Sequence, residues 1–146
     1  MQTRAITQGD FHHIVSVIDQ WWGGPTSALA HPLFFYEFGR HALIAEEEDG
    51  RMAGFLLGFV TGGDARVAYV HLVGIDPEFR RRGVGRTLYQ EFTRQARGEG
   101  AVRIKAITTP GNQASVDFHK ALGYSVELVA DYAGPNRARY VFLRDL

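Results

Sequence analysis

The sequence predicts a single mixed α/β domain, in which one mixed sheet of about seven strands is covered by four helices. Three observations predict this fold. The chain has 146 residues, 45% of them hydrophobic, which suits one domain with one sheet. Short apolar runs bounded by Gly, Pro and Asp alternate with segments of helical period. Along the chain, the order is strand, two helices, three strands, helix, strand, helix and two strands.

The first third of the chain predicts one strand and two helices. We expect a strand over residues 4–7 and a helix that Asp10 caps and Gly23 ends. Its apolar residues recur at intervals of three and four: Phe11, Ile14, Val15, Ile18, Trp21 and Trp22. An aromatic segment over residues 28–38 predicts the second helix, with Gly39 as its C-cap.

The middle of the chain predicts an antiparallel meander. Apolar runs over residues 41–45, 52–61 and 65–75 are joined by short polar turns at residues 46–50 and 62–64.

The second half predicts two helices among three strands. Apolar residues every four positions indicate a helix over residues 83–97. A strand over 102–108, a helix over 112–121 and strands over 125–132 and 137–143 follow.

Composition excludes several classes of site. Lys plus Arg and Asp plus Glu are each 16, so the net charge is zero and a nucleic-acid surface is disfavoured. The chain has no cysteine, which excludes disulfides, thiolate metal sites and a Cys nucleophile. The start lacks the apolar run of a signal peptide, and the longest apolar stretch, residues 52–60, is too short to span a bilayer. We therefore expect a soluble, cytoplasmic protein with neither a nucleic-acid nor a membrane partner.

The segment over residues 73–86 carries the strongest chemical signal. A buried strand ends, a short loop follows, and Gly83 and Gly85 stand where the next helix begins. Free N–H groups at a helix start attract anions, and glycines let an anion approach them. Three arginines add positive charge: Arg81, Arg82 and Arg86. The segment predicts a cradle for phosphate or diphosphate, with a solvated basic loop and close helix packing as the alternative.

Neither of two common nucleotide motifs fits this segment. The Gly-Lys-Ser/Thr ending of a Walker loop is missing, and Leu88 stands where a dinucleotide fingerprint needs its third glycine.

Two motifs resemble those of the GCN5-related N-acetyltransferases (GNAT). The first is similar to the acyl-CoA signature of that family: Arg80-Arg81-Arg82-Gly83-Val84-Gly85. The second is similar to a downstream signature: Asn112-x-x-Ser115-x-x-Phe118-His119-x-x-Leu122-Gly123-Tyr124. The resemblance covers nearly the whole chain. It implies an acyl-CoA N-acyltransferase fold with splayed central strands, and transfer of an acetyl group from acetyl-CoA to a primary amine by direct attack in a ternary complex.

The resemblance also implies roles for particular residues. Backbone groups of Val73, Gly74 and Ile75 would bind the pantetheine arm, and Asn112 would contact the same arm. The loop and helix start would hold the diphosphate, mainly through backbone N–H groups: Arg81, Arg82, Gly83, Val84, Gly85 and Arg86. We expect bulky substitutions of Gly83 or Gly85 to obstruct the cofactor rather than the core.

His119 stands where the family most often has the tyrosine that protonates the leaving thiolate. Imidazole can donate a proton, so His119 is a candidate general acid; alternatively it only lines the cofactor pocket. His71, on the same strand face as Tyr69, is the candidate general base, with a half-buried structural histidine as the alternative.

The aromatic region before the second strand suggests the acceptor site. Trp22, Tyr36 and Glu37 are the candidate substrate-binding residues, and residues 22–25 are expected to form a loop at the mouth of the site. The alternatives are core packing for the aromatic rings and a solvent-facing charge for Glu37.

Several alternatives concern the function as a whole. The acceptor is expected to be a small-molecule amine or a protein amine, and the family resemblance suggests a homodimer. No ligand set with the spacing of a metal site occurs, so no metal is expected. The rival interpretation is a non-catalytic acyl-CoA-binding sensor of the same fold.

Overall fold

The computed structural model describes residues 1–24, 27–62 and 66–146. The strands are β1 Gln2–Ala5, β2 Leu43–Glu46, β3 Met52–Val60, β4 Val67–Ile75, β5 Arg103–Thr108, β6 Ser125–Val129 and β7 Arg139–Asp145. The α-helices within these ranges are α1 Gln8–Trp22, α2 Leu33–Tyr36, α3 Val84–Gly98 and α4 Gln113–Ala121. None of them is both long and apolar enough to cross a membrane.

The seven strands of the described residues form one sheet in the order β1-β2-β3-β4-β5-β7-β6. Strands β2, β3 and β4 pair antiparallel in sequence, so the predicted meander is confirmed. Strand β5 then pairs parallel with β4, and β7 lies between β5 and β6. The predicted mixed α/β fold is therefore confirmed.

Two apolar clusters cover the two faces of the sheet. On the α3 and α4 face, large buried side chains include Leu56, Leu88, Phe92, Ile104 and Phe142. On the α1 and α2 face, they include Ile14, Ile18, Ile44, Phe55 and Leu57. The four-residue apolar interval of α3 explains its place, because it puts all its apolar side chains on one side of the helix.

A β-bulge in β4 opens the middle of the sheet. Between Leu57 and Gly58 of β3, the pairing partner jumps from Leu72 to Val70, so His71 of β4 is an extra residue. Bulges bend a strand and increase its twist. Strands β4 and β5 pair only as far as Val70 of β4, and beyond that point β4 pairs with β3 alone. This gap is the predicted splay of the central strands.

The predicted helix over residues 28–38 is wrong in its length. Only Leu33–Tyr36 is α-helical, between short 3₁₀ turns at Ser27–Leu29 and Gly39–His41. Pro32 explains the interruption, because proline has no N–H to donate and disfavours helical backbone in the residue before it. Residue 39 begins the second turn instead of capping the helix.

Helix α1 is capped by Thr7, and the prediction that Asp10 is the N-cap is wrong. The Asp10 carboxylate accepts a 2.7 Å hydrogen bond from the Thr7 N–H, in a capping box, and pairs with Arg4 at 2.8 Å. Burial alone would raise the pKa of Asp10, but the hydrogen bonds from Arg4 and Thr7 lower it below its ordinary value.

Several predicted boundaries shift by a few residues. Strand β1 ends at Ala5, β2 begins at Leu43 and β6 ends at Val129. Most of the turn predicted over residues 62–64 and the predicted strand start at Ala65 lie outside the described residues, as does Pro25 of the predicted mouth loop.

Candidate acyl-donor and acceptor site

The backbone of Val73 and Ile75 faces the gap between β4 and β5. On the other side of the strand, the Asp76 N–H donates to the carbonyl of Ala53 in β3 at 2.9 Å. Alternate residues of an antiparallel strand direct their N–H and C=O to opposite edges. Val73 and Ile75 therefore direct theirs toward the edge where pairing with β5 has ended. These groups can hydrogen-bond an extended ligand lying in the gap.

The loop before α3 turns with two residues in the left-handed region. Arg81 has φ of 64° and Gly83 has φ of 79°. Gly83 is the N-cap of α3, and no side chain caps the helix there. Within the described ranges, the amides of residues 81–86 donate to no backbone carbonyl. Such a concave run of N–H groups, at the positive end of a helix, is a suitable anion site.

The two glycines of the motif have different roles. A Cβ on Gly83 would meet no atom within 4 Å, whereas a Cβ on Gly85 would lie 3.0 Å from the ring of Phe118. The expectation that substitution of Gly85 would spare the core is therefore wrong, because Gly85 lets α3 pack closely on α4. Gly74 likewise leaves space for the ring of Phe55, which a Cβ would overlap.

The arginines of the loop point in different directions. The Arg80 guanidinium donates to the carbonyl of Trp21 at 2.6 Å and so fastens the loop to the end of α1. The Arg82 guanidinium lies 5.3 Å from the ring centre of Phe79. Arg81 and Arg86 are exposed and form no ion pair among the described residues, so their charge is available to an anion near the amides.

Asn112 lies at the same edge of the sheet, just after β5. Its Oδ1 accepts a hydrogen bond from the Ser115 N–H at 3.2 Å, and its Nδ2 donates to Thr108 Oγ1 at 3.1 Å. The side chain thus caps α4 and ties it to the end of β5. Because β4 and β5 are parallel, Asn112 and Ile75 follow strand ends at one edge, and the predicted contact of Asn112 with the cofactor arm stays a prediction.

His119 is buried between α3, α4 and β7, and only 6% of it is exposed. Nδ1–H donates to the carbonyl of Ser115 at 2.7 Å, since a carbonyl can only accept. Nε2 accepts from the Tyr89 hydroxyl at 2.7 Å, and the ring stacks on Phe142 with centres 3.9 Å apart. Burial lowers the pKa of His119. The imidazole is therefore neutral, with both nitrogens engaged inside the protein.

His71 is the bulged residue of β4 and faces α1 and α2. Its Nε2–H donates to the carbonyl of Leu29 at 2.8 Å, and its ring stacks on Phe34 with centres 4.2 Å apart. Burial lowers the pKa of His71, and nearby His31 adds to the effect. Nδ1 consequently carries the lone pair, and it has no hydrogen-bond partner in the part of the chain that the structure describes. This nitrogen can accept a proton at neutral pH.

The structure separates the three predicted acceptor residues. Trp22 is the last residue of α1 and is half-buried. Tyr36 is 48% exposed, and its ring contacts Phe11, with centres 6.3 Å apart. Phe11 precedes Trp22 by eleven residues on α1, which is about 16 Å along the helix axis. Tyr36 and the exposed Glu37 therefore lie near the opposite end of α1 from Trp22.

Sequence reasoning missed Lys105 and Tyr132, which lie near the gap beside Tyr69 and His71. Tyr69 pairs in register with Lys105, and the Lys105 ammonium lies 4.8 Å from the ring centre of Tyr132. The ring of Tyr69 lies 6.1 Å from that of His71. No local spacing signals Lys105 or Tyr132, because strand pairing and the segment after β6 bring them to this place.

Comparison with known proteins gives the chain its relatives. Residues 11–124 match the family described as "Acetyltransferase (GNAT) family". The L-2,4-diaminobutyric acid acetyltransferase of Nocardia farcinica (strain IFM 10152) is 28% identical over 96 residues, which cover 66% of this chain and 49% of that protein. The chain thus spans about half the length of this curated relative.

Solved structures share the fold along nearly the whole chain. The ribosomal-protein-S18-alanine N-acetyltransferase from Escherichia coli superposes with a TM-score of 0.80 and 16% identity, covering 99% of this chain and 92% of that one. An aminoglycoside 6'-N-acetyltransferase complexed with coenzyme A gives a TM-score of 0.75 and 12% identity, covering 99% and 97%. At these identities the likeness shows the fold alone.

Proposed function

Because the chain belongs to the acetyltransferase (GNAT) family, we propose that it moves an acetyl group from acetyl-CoA to a primary amine, with direct attack in a ternary complex. One observation carries the proposal. Two features lie at one edge of the sheet: the gap lined by the unpaired backbone of β4, and the free amides of residues 81–86. The gap suits an extended chain of amides, and the loop suits a diphosphate. Coenzyme A joins these two groups in one molecule.

Each part of the donor has a matching part of the chain. Val73 and Ile75 bind the pantetheine arm as a neighbouring strand would, and Asn112 faces the arm from the end of β5. The amides of residues 81–86 hold the diphosphate, with Arg81 and Arg86 adding charge. The bound thioester supplies the activated acyl carbon. The amine nitrogen forms a bond to that carbon as the carbon–sulfur bond breaks and the thiolate leaves.

We assign the general base to His71. Its Nδ1 is unprotonated because Nε2–H is held by the Leu29 carbonyl, and its lowered pKa keeps the ring neutral. The loop of residues 81–86 lies at the start of α3, whereas the His71 ring packs on the α1 and α2 face. An amine that approaches from the His71 face therefore meets the donor through the gap.

We assign His119 a positioning role. Its two hydrogen bonds and its contact with Phe142 hold α4 against α3, and no ring nitrogen remains for the leaving group. A thiol such as that of cysteine has a pKa of about 8.5, so a thiolate is a good leaving group and can take its proton from water. The unpaired N–H groups of β4 stabilise the charge that develops on the carbonyl oxygen.

The surroundings of His71 favour a particular kind of acceptor. Phe34, Tyr69 and Tyr132 provide apolar surface, and Lys105 provides the charge in this group. We therefore propose an amine with an apolar or anionic neighbouring group rather than a polycation. The similar proteins named above act on small-molecule and protein amines, and an acceptor as long as a peptide would extend from Trp22 toward Tyr36 and Glu37.

Thiol release from acetyl-CoA, measured with a panel of small amines and peptide N-termini, tests the proposal. We expect amine-dependent release, and we expect His71→Gln to lower kcat about 100-fold or more while the CoA Kd stays within twofold. His13→Gln, at an exposed position on α1, is the matched control and should behave as the original protein does. CoA binding without release for any amine would instead favour the acyl-CoA-binding sensor. Absence of heat with CoA in calorimetry would refute the donor assignment.

A further inference from the structure

A cavity of about 330 Å³ lies between α3, the end of α4 and the last strand. Helix α3 contributes Arg86, Gln90, Thr93 and Arg97, which recur every three or four residues and so form one stripe. Tyr124 and Arg144 face this stripe from the segment before β6 and from β7. The volume suits a small molecule.

The charges around this cavity are of one sign. Arg86, Arg97 and Arg144 line it, and no Asp or Glu among the described residues does. None of the three arginines forms an ion pair with another residue of the described ranges, although Arg4, Arg51, Arg94 and Arg103 all do. An anion that enters the cavity is attracted by these guanidinium charges.

Tyr124 provides a second, independent observation. Only 5% of this residue is exposed, and its hydroxyl oxygen has no hydrogen-bond partner among the described residues. Buried hydroxyls are nearly always paired, so an unpaired one indicates a missing partner. Burial raises the pKa of Tyr124, although Arg144 acts in the opposite direction, so the hydroxyl stays protonated and available as a donor.

We propose that the end of this cavity lined by Arg97 and Arg144 binds a dianion of the phosphomonoester type, with the Tyr124 hydroxyl as a neutral donor. Guanidinium groups present planar pairs of N–H donors that match phosphate oxygens. The site is distinct from the diphosphate loop and does not depend on the proposed reaction.

Two sources could supply such a phosphate. In coenzyme A, one ribose separates the 3'-phosphate from the diphosphate, so a 3'-phosphate can approach the Arg86 end of the cavity. Arg97 lies about 18 Å along α3 from Gly85, which one ribose cannot span. A separate phosphorylated small molecule would reach the end formed by Arg97 and Arg144.

Calorimetric titration with inorganic phosphate, against sodium chloride of equal ionic strength, tests the site. The titration is made on the free protein and on protein saturated with dephospho-CoA, which fills the diphosphate loop but lacks the 3'-phosphate. We expect saturable phosphate binding in both preparations. The Kd for phosphate should rise at least tenfold in the double variant Arg97→Gln/Arg144→Gln, and about threefold or more in Tyr124→Phe. Arg94→Gln, which removes the same charge from another side of α3, should change the Kd less than twofold.

The outcomes separate the alternatives. Absence of saturable phosphate binding in the original protein, or equal binding in the double variant and in Arg94→Gln, would overturn the proposal. A fall in the affinity ratio of CoA to dephospho-CoA in the double variant would mean that the cofactor's own phosphate reaches Arg97 and Arg144, and it would overturn the assignment of this end to a separate compound. If only phosphate binding falls, the occupant is a separate compound. Tyr124→Phe removes a single buried oxygen, so it tests the site even if the double variant unfolds. Failure of dephospho-CoA to bind would refute the donor assignment alone.

Discussion

Replacing His119 with alanine distinguishes a structural from a catalytic imidazole. The variant loses the ring stacked on Phe142 and leaves the Tyr89 hydroxyl without its acceptor. Truncation of a buried aromatic ring lowers the free energy of unfolding by about 3–5 kcal/mol. An unpaired buried hydroxyl costs about 1–3 kcal/mol, and the two costs are not additive because they describe the same contact. We expect the free energy of unfolding to fall by about 4 kcal/mol, and the melting temperature by about 10 °C.

The variant should remain folded at low temperature, because single domains have about 5–15 kcal/mol of stability. Circular dichroism gives the melting temperature, and thiol release at 15 °C with saturating acetyl-CoA gives kcat. We expect kcat within about threefold of the original, as for the control His13→Ala. General acids contribute about 100-fold or more, so a loss of that size in the folded variant would refute the positioning role and restore the acid.

Three further predictions follow from described contacts. Gly83→Ala should raise the CoA Kd about tenfold or more by straining the left-handed turn, whereas Gly85→Ala should lower the melting temperature by crowding Phe118; equal effects of the two in calorimetry and thermal unfolding would contradict this contrast. Asp10→Ala should cost about 1–2 kcal/mol in urea unfolding, by loss of the capping box and the Arg4 pair, and an unchanged midpoint would be the contrary result. Burial lowers the folded-state pKa of His71 and His119. The free energy of unfolding should therefore be complete above about pH 6.5 and fall as the pH drops through the folded-state pKa values. A urea midpoint that is equal at pH 7.5 and pH 5.5, or one that depends on pH as strongly in His119→Gln, would count against this prediction.

Local patterns predicted the features that depend on neighbours in sequence. The four-residue apolar interval located α3, and alternating runs with polar turns located the meander. The loop of residues 81–86 was also recognisable, because a helix start with Gly83 requires only local backbone. The over-long second helix is an error of the same kind, since Pro32 was visible in the sequence while the aromatic run masked the missing period.

Features that depend on distant partners were not predictable. The surroundings of His119 come from Tyr89, which lies 30 residues earlier in the chain, and from Phe142, which lies on the last strand. Likewise, His71 gains its tautomer from the carbonyl of Leu29 and its stacking from Phe34. Sequence position identified both histidines as candidates, but only the packing of the sheet against its helices distinguishes a neutral acceptor from an enclosed ring.

The extra residue in β4 shifts the alternation of side chains between the two faces of the strand by one position. Val70 belongs to the apolar cluster under α3, yet Leu72, two residues later, belongs to the cluster under α1. In a regular strand both would share one face. Deleting the bulged residue would leave Leu72 opposite Leu57 and Val73 opposite Leu56, and it would make the alternation regular. A strand without the bulge could then continue along β5 and close the opening between them. The number of residues in this strand therefore maintains the opening, while the side chain at the bulge serves the proposed chemistry.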